Sequence, residues 1–112
     1  MSDSADSGSL SQFQASLQEV IETFQDIRPL EEPLNRAAKI VLTALTSGKK
    51  LLFCGNGGSA ADSAHMATEF TCRFKEDRRP YPAIALNVDG GLLTAIGNDY
   101  AFQDIFARQV QA

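Results

Sequence analysis

Three groups of residues in this sequence have types and spacings that could do chemistry. The first is Cys54-Gly55-Asn56-Gly57-Gly58-Ser59. Glycines let the backbone turn tightly and approach a ligand closely, and where such a loop opens a helix the free N–H groups attract anions. The segment lacks the lysine of a P-loop and the G-x-G-x-x-G spacing of a dinucleotide fingerprint. Three glycines and an asparagine still exceed what a plain strand-to-helix turn requires, so Asn56, Gly57, Gly58 and Ser59 are candidates for ligand contact. The second group is His65, Glu69 and Arg73, spaced i, i+4 and i+8 along one stripe of a helix. An imidazole and a carboxylate at i, i+4 can share one metal ion. They can equally form a surface ion-pair row closed by Arg73, and spacing alone favours that reading. His65 is the only histidine, and two ligands do not complete a tetrahedral zinc site. The third group is Asn98-Asp99, which follows Gly97 and reads either as a ligand contact or as an Asx-type turn.

These groups need elements to position them. Leu10, Phe13, Leu17, Val20, Phe24 and Ile27 are spaced 3, 4, 3, 4, 3, the seam of a helix with one narrow apolar stripe. Such a stripe suits packing against another helix, and Pro29 ends it. Pro33 suits the first turn of a second helix running to about Ser47, with Gly48 as its stop. Leu51 to Cys54 and Ala83 to Leu86 are short apolar runs without alternation, which predicts strands covered on both faces of a parallel sheet. Between them a third helix is expected from Ser59, as N-cap with Asp62 completing a weak capping box, to about Phe74. The charged segment Lys75 to Pro82 reads as an exposed loop. After the second strand, Leu92 to Ile96 can form a short helix that Gly97 to Tyr100 breaks, and Phe102, Ile105, Phe106 and Val110 mark a last one. Strand, helix, strand in this order is a βαβ unit, and ligands in open parallel sheets bind beyond the carboxyl ends of the strands. Both the glycine segment and Asn98-Asp99 fall on that side. The fold class is α/β: N-terminal helices, then the first βαβ part of a doubly wound parallel sheet. Two strands cannot make a stable sheet alone, so a truncated domain is expected.

Composition narrows the function classes. The 112 residues suit one domain or part of one, and 44% hydrophobic content is too apolar for a disordered chain. Ten Lys and Arg against fourteen Asp and Glu leave a net charge of −4, which argues against general nucleic-acid binding. No run reaches the roughly 20 apolar residues of a membrane helix, and the polar start lacks the pattern of a signal peptide. A cytoplasmic protein with no membrane partner is therefore expected. Cys54 and Cys72 read as reduced thiols in or near the core. The Ser/Asp-rich residues 1–9 read as a disordered tail, and 10–112 as the folded part.

Taken together, Cys-Gly-Asn-Gly-Gly-Ser at 54–59, His65-Met-Ala-Thr-Glu69, Arg73-Phe74, Tyr81-Pro-Ala-Ile-Ala-Leu86 and Leu93-Thr-Ala-Ile-Gly-Asn-Asp99 resemble the phosphoheptose isomerases, a branch of the sugar isomerase (SIS) domain family. The resemblance covers about residues 10–112. It implies a five-stranded parallel sheet flanked by helices, and a homotetramer in which N-terminal helices pack between subunits. The implied reaction interconverts sedoheptulose 7-phosphate and D-glycero-D-manno-heptose 7-phosphate, which feeds heptose into bacterial lipopolysaccharide. By matching motif, Asn56, Gly57, Gly58 and Ser59 would contact substrate, His65 and Glu69 would bind zinc, Arg73 would help hold the substrate, and Asn98 and Asp99 would contact it. Glu69 would also touch substrate and move the proton.

The departures from the family matter too. Its Ser/Thr-rich phosphate loop has no counterpart here, and the Gln and His that complete its zinc site are absent. The expectation is a truncated chain, inactive alone. The alternative is a non-catalytic SIS-fold protein, such as a replication-initiator-associating or sugar-phosphate-sensing one. Such relatives tend to lose the acidic residue four after the histidine, and Glu69 favours the enzyme.

Overall fold

The structure, a computed structural model, describes residues 3–112. It divides into two compact units, Met1–Lys39 and Ile40–Ala112. The first unit contains helix α1 (Asp3–Asp26), a 3-10 turn (Arg28–Leu30) and the start of α2 (Glu31–Thr46). Of the tail expected over residues 1–9, positions 1 and 2 lie outside the described residues. The helix begins at Asp3 rather than near Leu10, because no proline interrupts propagation upstream of the seam. All six seam residues, Leu10, Phe13, Leu17, Val20, Phe24 and Ile27, are exposed. Pro29 sits inside the 3-10 turn that separates the helices. In α2, Glu31 and Glu32 occupy the first turn, where they complement the helix dipole, and Glu32 pairs with Arg36 one turn on.

The second unit positions the candidate site. Helix α2 stops in a Schellman motif: Lys49 N–H donates to the Ala44 carbonyl at 2.9 Å and Gly48 N–H to Leu45 at 3.4 Å, with Gly48 at φ +73°. The chain then enters β1 (Leu51–Phe53), crosses through α3 (Gly58–Thr71) and returns as β2 (Ala83–Ala85). The strands pair in parallel, Leu51 opposite Ala83 and Phe53 opposite Ala85. The Leu51 N–H to Pro82 bond and the Leu86 N–H to Phe53 bond extend the ladder at its two ends. Helix α3 packs on this pair through buried Ser63 and Ala67 and through the stacked Phe53 and Phe70 rings, 5.8 Å apart. Buried Ala85, Leu86, Ile96 and Ile105 continue the core toward α4 (Gly90–Asp99).

Several local expectations are corrected. The strands are covered on one face only, since Leu52 and Ile84 are 37% and 49% exposed. Ser59 is not the N-cap of α3. Gly57, at φ +59°, takes that position, so the helix starts before Ser59 and uses no side-chain cap. The helix also ends at Thr71, so Arg73 and Phe74 lie beyond it. Helix α4 is capped by Asp89, whose carboxylate accepts from Leu92 N–H at 2.9 Å, and it runs through Gly97 to Asp99. A glycine inside a helix costs about 1 kcal/mol, too little to stop one already nucleated. Asn98 and Asp99 are therefore in a helical turn rather than a loop. The single last helix expected from Phe102 is a 3-10 turn (Phe102–Asp104) followed by α5 (Ala107–Gln111). Cys54 and Cys72 are free, as expected, but exposed rather than in the core.

Candidate active site

The glycine segment leaves β1 at its carboxyl end and folds directly onto the first turn of α3. Ser59 N–H donates to the Asn56 carbonyl and Ala60 N–H to Gly57, each at 3.0 Å. Gly55 lies so close to this turn that a Cβ there would meet Ser59 Cβ at 2.6 Å. Only glycine fits. Gly57 meets no such obstacle but adopts a positive φ that L side chains rarely take.

This turn forms one wall of a cavity of about 630 Å³. Asn56, Gly57 and Ala60 line one side, and Leu93, Thr94, Gly97 and Asn98 of α4 line another. Asn87, Phe102 and Ile105 complete it. No ionisable side chain is among them. Three carboxamides and a hydroxyl supply its uncharged polar groups on a largely apolar lining, with the Asn87 amide engaged by Gly55 and the Asn56 amide in no such bond among the described residues. The structure thus brings Asn56, Gly57 and Asn98 together at the carboxyl ends of the strands, as their order in the chain suggests. Gly58, Ser59 and Asp99 do not line the cavity, and Asp99 instead accepts from Asn98 Nδ2 at 3.1 Å.

His65 and Glu69 meet, with His65 Nε2 and Glu69 Oε1 3.0 Å apart. The His65 side chain is largely exposed and the Glu69 side chain partly covered, at 75% and 28% exposure. Glu69 lines a second cavity of about 400 Å³ with Met66, Phe70, Phe74, Arg78 and Tyr81. Ala60 and Glu69 are nine residues apart on α3, which puts them on opposite faces, roughly 180° and about 13 Å apart along the axis. The described chain therefore holds the candidates in two places rather than one.

Arg73 does not extend the stripe, because the helix has ended before it. The guanidinium that reaches this end of α3 is that of Arg78, which donates to the Glu69 carbonyl at 2.6 Å and the Phe70 carbonyl at 2.9 Å. It also lies over the Tyr81 ring, 4.5 Å from its centroid. Sequence reasoning missed Arg78, whose basic, Pro-flanked segment carries no positional signal. It missed Asn87 as well, although a polar residue just after a buried parallel strand is a recognisable one. For a metal, His65 and Glu69 are two donors, and no group of three or more His, Cys, Asp or Glu among the described residues could hold an ion. The set present does not make a zinc site.

The SIS domain family matches residues 12–112. Phosphoheptose isomerase from Aliarcobacter butzleri is 52% identical over 99 residues, spanning 88% of this chain and 49% of that protein. That from Aquifex aeolicus is 60% identical over 75 residues, 67% of this chain and 39% of its own length. Among solved structures, phosphoheptose isomerase from Neisseria gonorrhoeae superposes with a TM-score of 0.83 at 41% identity, covering 91% of this chain and 53% of that one. The Francisella tularensis phosphoheptose isomerase gives 0.77 at 38%, covering 97% and 56%. The chain thus spans about half the length of the proteins it matches, or less. With a glycine turn between parallel strands, a cavity at their carboxyl ends and a match over nearly its whole length, this chain belongs to the SIS domain family and is similar to part of the phosphoheptose isomerases.

Proposed function

We propose that this chain is the amino-terminal part of an isomerase that interconverts sedoheptulose 7-phosphate and D-glycero-D-manno-heptose 7-phosphate in the cytoplasm, as a step toward lipopolysaccharide heptose. The observation that carries the reading is the uncharged cavity lined by Asn56, Gly57 and Asn98, which suits a sugar's hydroxyl chain. The reaction moves a carbonyl between C2 and C1 through an enediol. Glu69 takes a proton from C1 of the ketose, exchanges it with solvent and delivers one to C2, while a hydroxyl proton moves from O1 to O2 so that the carbonyl passes from C2 to C1. Its side chain is 28% exposed, open enough for that exchange, and His65 lies within hydrogen-bond distance of the carboxylate. Arg73 contributes positive charge beside the substrate. Because Glu69 and the cavity-lining Ala60 lie on opposite faces of α3, a complete site draws on further surfaces. The reading assigns these to other subunits, associated through the exposed α1 seam as a homotetramer, and to residues beyond this chain. Zinc is the proposed cofactor of the complete enzyme, with His65 and Glu69 as the donors contributed here.

The test is turnover by a chain of the relatives' full length that contains these residues, in deuterium oxide. Conversion of sedoheptulose 7-phosphate with deuterium appearing at C2 of the aldose supports the enediol reading. Binding of the sugar phosphate without turnover favours the sugar-phosphate-sensing alternative, and no binding rejects both the isomerase and the sensor.

A further inference from the structure

We infer that Asn87 is the positioning residue of the glycine loop, carrying the register of the sheet onto the segment that lines the cavity. Backbone pairing between β1 and β2 ends with Leu86 N–H donating to the Phe53 carbonyl at 2.8 Å. By the same register the next partners are Gly55 and Asn87, 32 residues apart. There the side chain takes over from the backbone. Gly55 N–H donates to Asn87 Oδ1 at 3.0 Å, and Asn87 Nδ2 donates to the Gly55 carbonyl at 2.7 Å. One carboxamide thus satisfies both peptide groups of a single residue, as an adjacent strand would, at the point where the strand has ended.

Gly55 has no freedom on its other side, where it presses against Ser59. Held from β2 by the amide and from α3 by contact, it fixes the direction in which Asn56 and Gly57 leave the sheet. Both of those residues line the cavity, and so does Asn87. The tie therefore sets one wall of the cavity relative to α4, which follows directly from the Asn87 turn. Its effect on ligand affinity rests on the sugar-phosphate reading. Its effect on the loop does not.

Amide exchange and two-dimensional NMR on this chain, with sedoheptulose 7-phosphate as probe, test the role. In Asn87→Leu, which keeps the volume and removes both bonds, Gly55 N–H should exchange about tenfold faster, the scale of a lost hydrogen bond. Exchange at Leu86 N–H should stay unchanged, the Asn56 and Gly57 signals should move, and the dissociation constant of the sugar phosphate should rise about tenfold. In Asn87→Asp the protonated carboxyl has the same acceptor–donor pair as the amide and the ionised form lacks the donor. The loop signals should therefore return toward wild-type positions as the pH falls. Unchanged Gly55 exchange, equal acceleration at Gly55 and Leu86, or a freed loop with unchanged affinity would each overturn the role. Absence of sugar-phosphate binding by the wild-type chain would move the affinity comparison to a chain of the relatives' full length, with the loop signals still deciding the tie.

Discussion

Glu69 is the residue on which the proposed chemistry turns, because its carboxylate both meets His65 and faces a cavity. Glu69→Gln keeps the shape and removes the base. In a full-length enzyme it should abolish turnover while leaving the melting temperature within a few degrees, as scanning calorimetry would record. Retained turnover would remove Glu69 from the mechanism. The metal expectation is equally local. With two donors and no third among the described residues, this chain should carry less than stoichiometric zinc in metal analysis. A bound equivalent of zinc would mean that association completes the site. The His65–Glu69 pair was legible in the sequence because i, i+4 neighbours on a helix meet wherever the helix exists. Arg73 was not, because where α3 ends depends on partners the spacing does not contain. Arg78 and the Tyr81 N–H, which donates to the Phe70 carbonyl, both come from beyond it.

Elements were easiest to read where a residue enforces them locally. Gly48 ended α2 as expected, since its positive φ and the Lys49 bond need only neighbouring residues. The start of α3 was misread because a serine followed by an aspartate resembles a cap, whereas Gly57 makes the turn by conformation alone. Two substitutions test these elements. Gly55→Ala should destabilise the fold by about 1–3 kcal/mol, because its Cβ meets backbone and Cβ atoms of Ser59 that cannot simply swing away. Arg78→Ala frees two carbonyls at the end of α3 and should cost about 1–2 kcal/mol by urea denaturation. No loss of stability in Arg78→Ala would mean that water replaces the guanidinium without penalty.

At the scale of the molecule, the α/β class and parallel pairing followed from the order of apolar runs, but their burial did not. The runs were expected to be covered on both faces, and Leu52 and Ile84 remain exposed. Apolar composition reports what a strand can face, not whether the covering element lies within the same 112 residues. The α1 seam makes the same point, with Phe13 66% and Phe24 67% exposed on an otherwise polar helix. If this seam joins subunits, Phe13→Glu with Phe24→Glu should shift native mass spectra from oligomer to monomer. An unchanged oligomer would put the contact elsewhere. No described helix is long and apolar enough to cross a membrane.

The spacing between paired strands also carries a kinetic consequence. Leu51 meets Ala83 across 32 residues, so the first rung of the sheet closes a long loop before any second rung can reward it. That closure costs about 3 kcal/mol of chain entropy beyond a constant. Helix α3 shortens the search, because Phe70 can dock on Phe53 and carry the following segment back toward β1. The strands should then zip late, after the helix has docked. Phe70→Ala should slow refolding as well as lower stability, whereas Ile84→Ala, on the uncovered face, should leave the folding rate nearly unchanged.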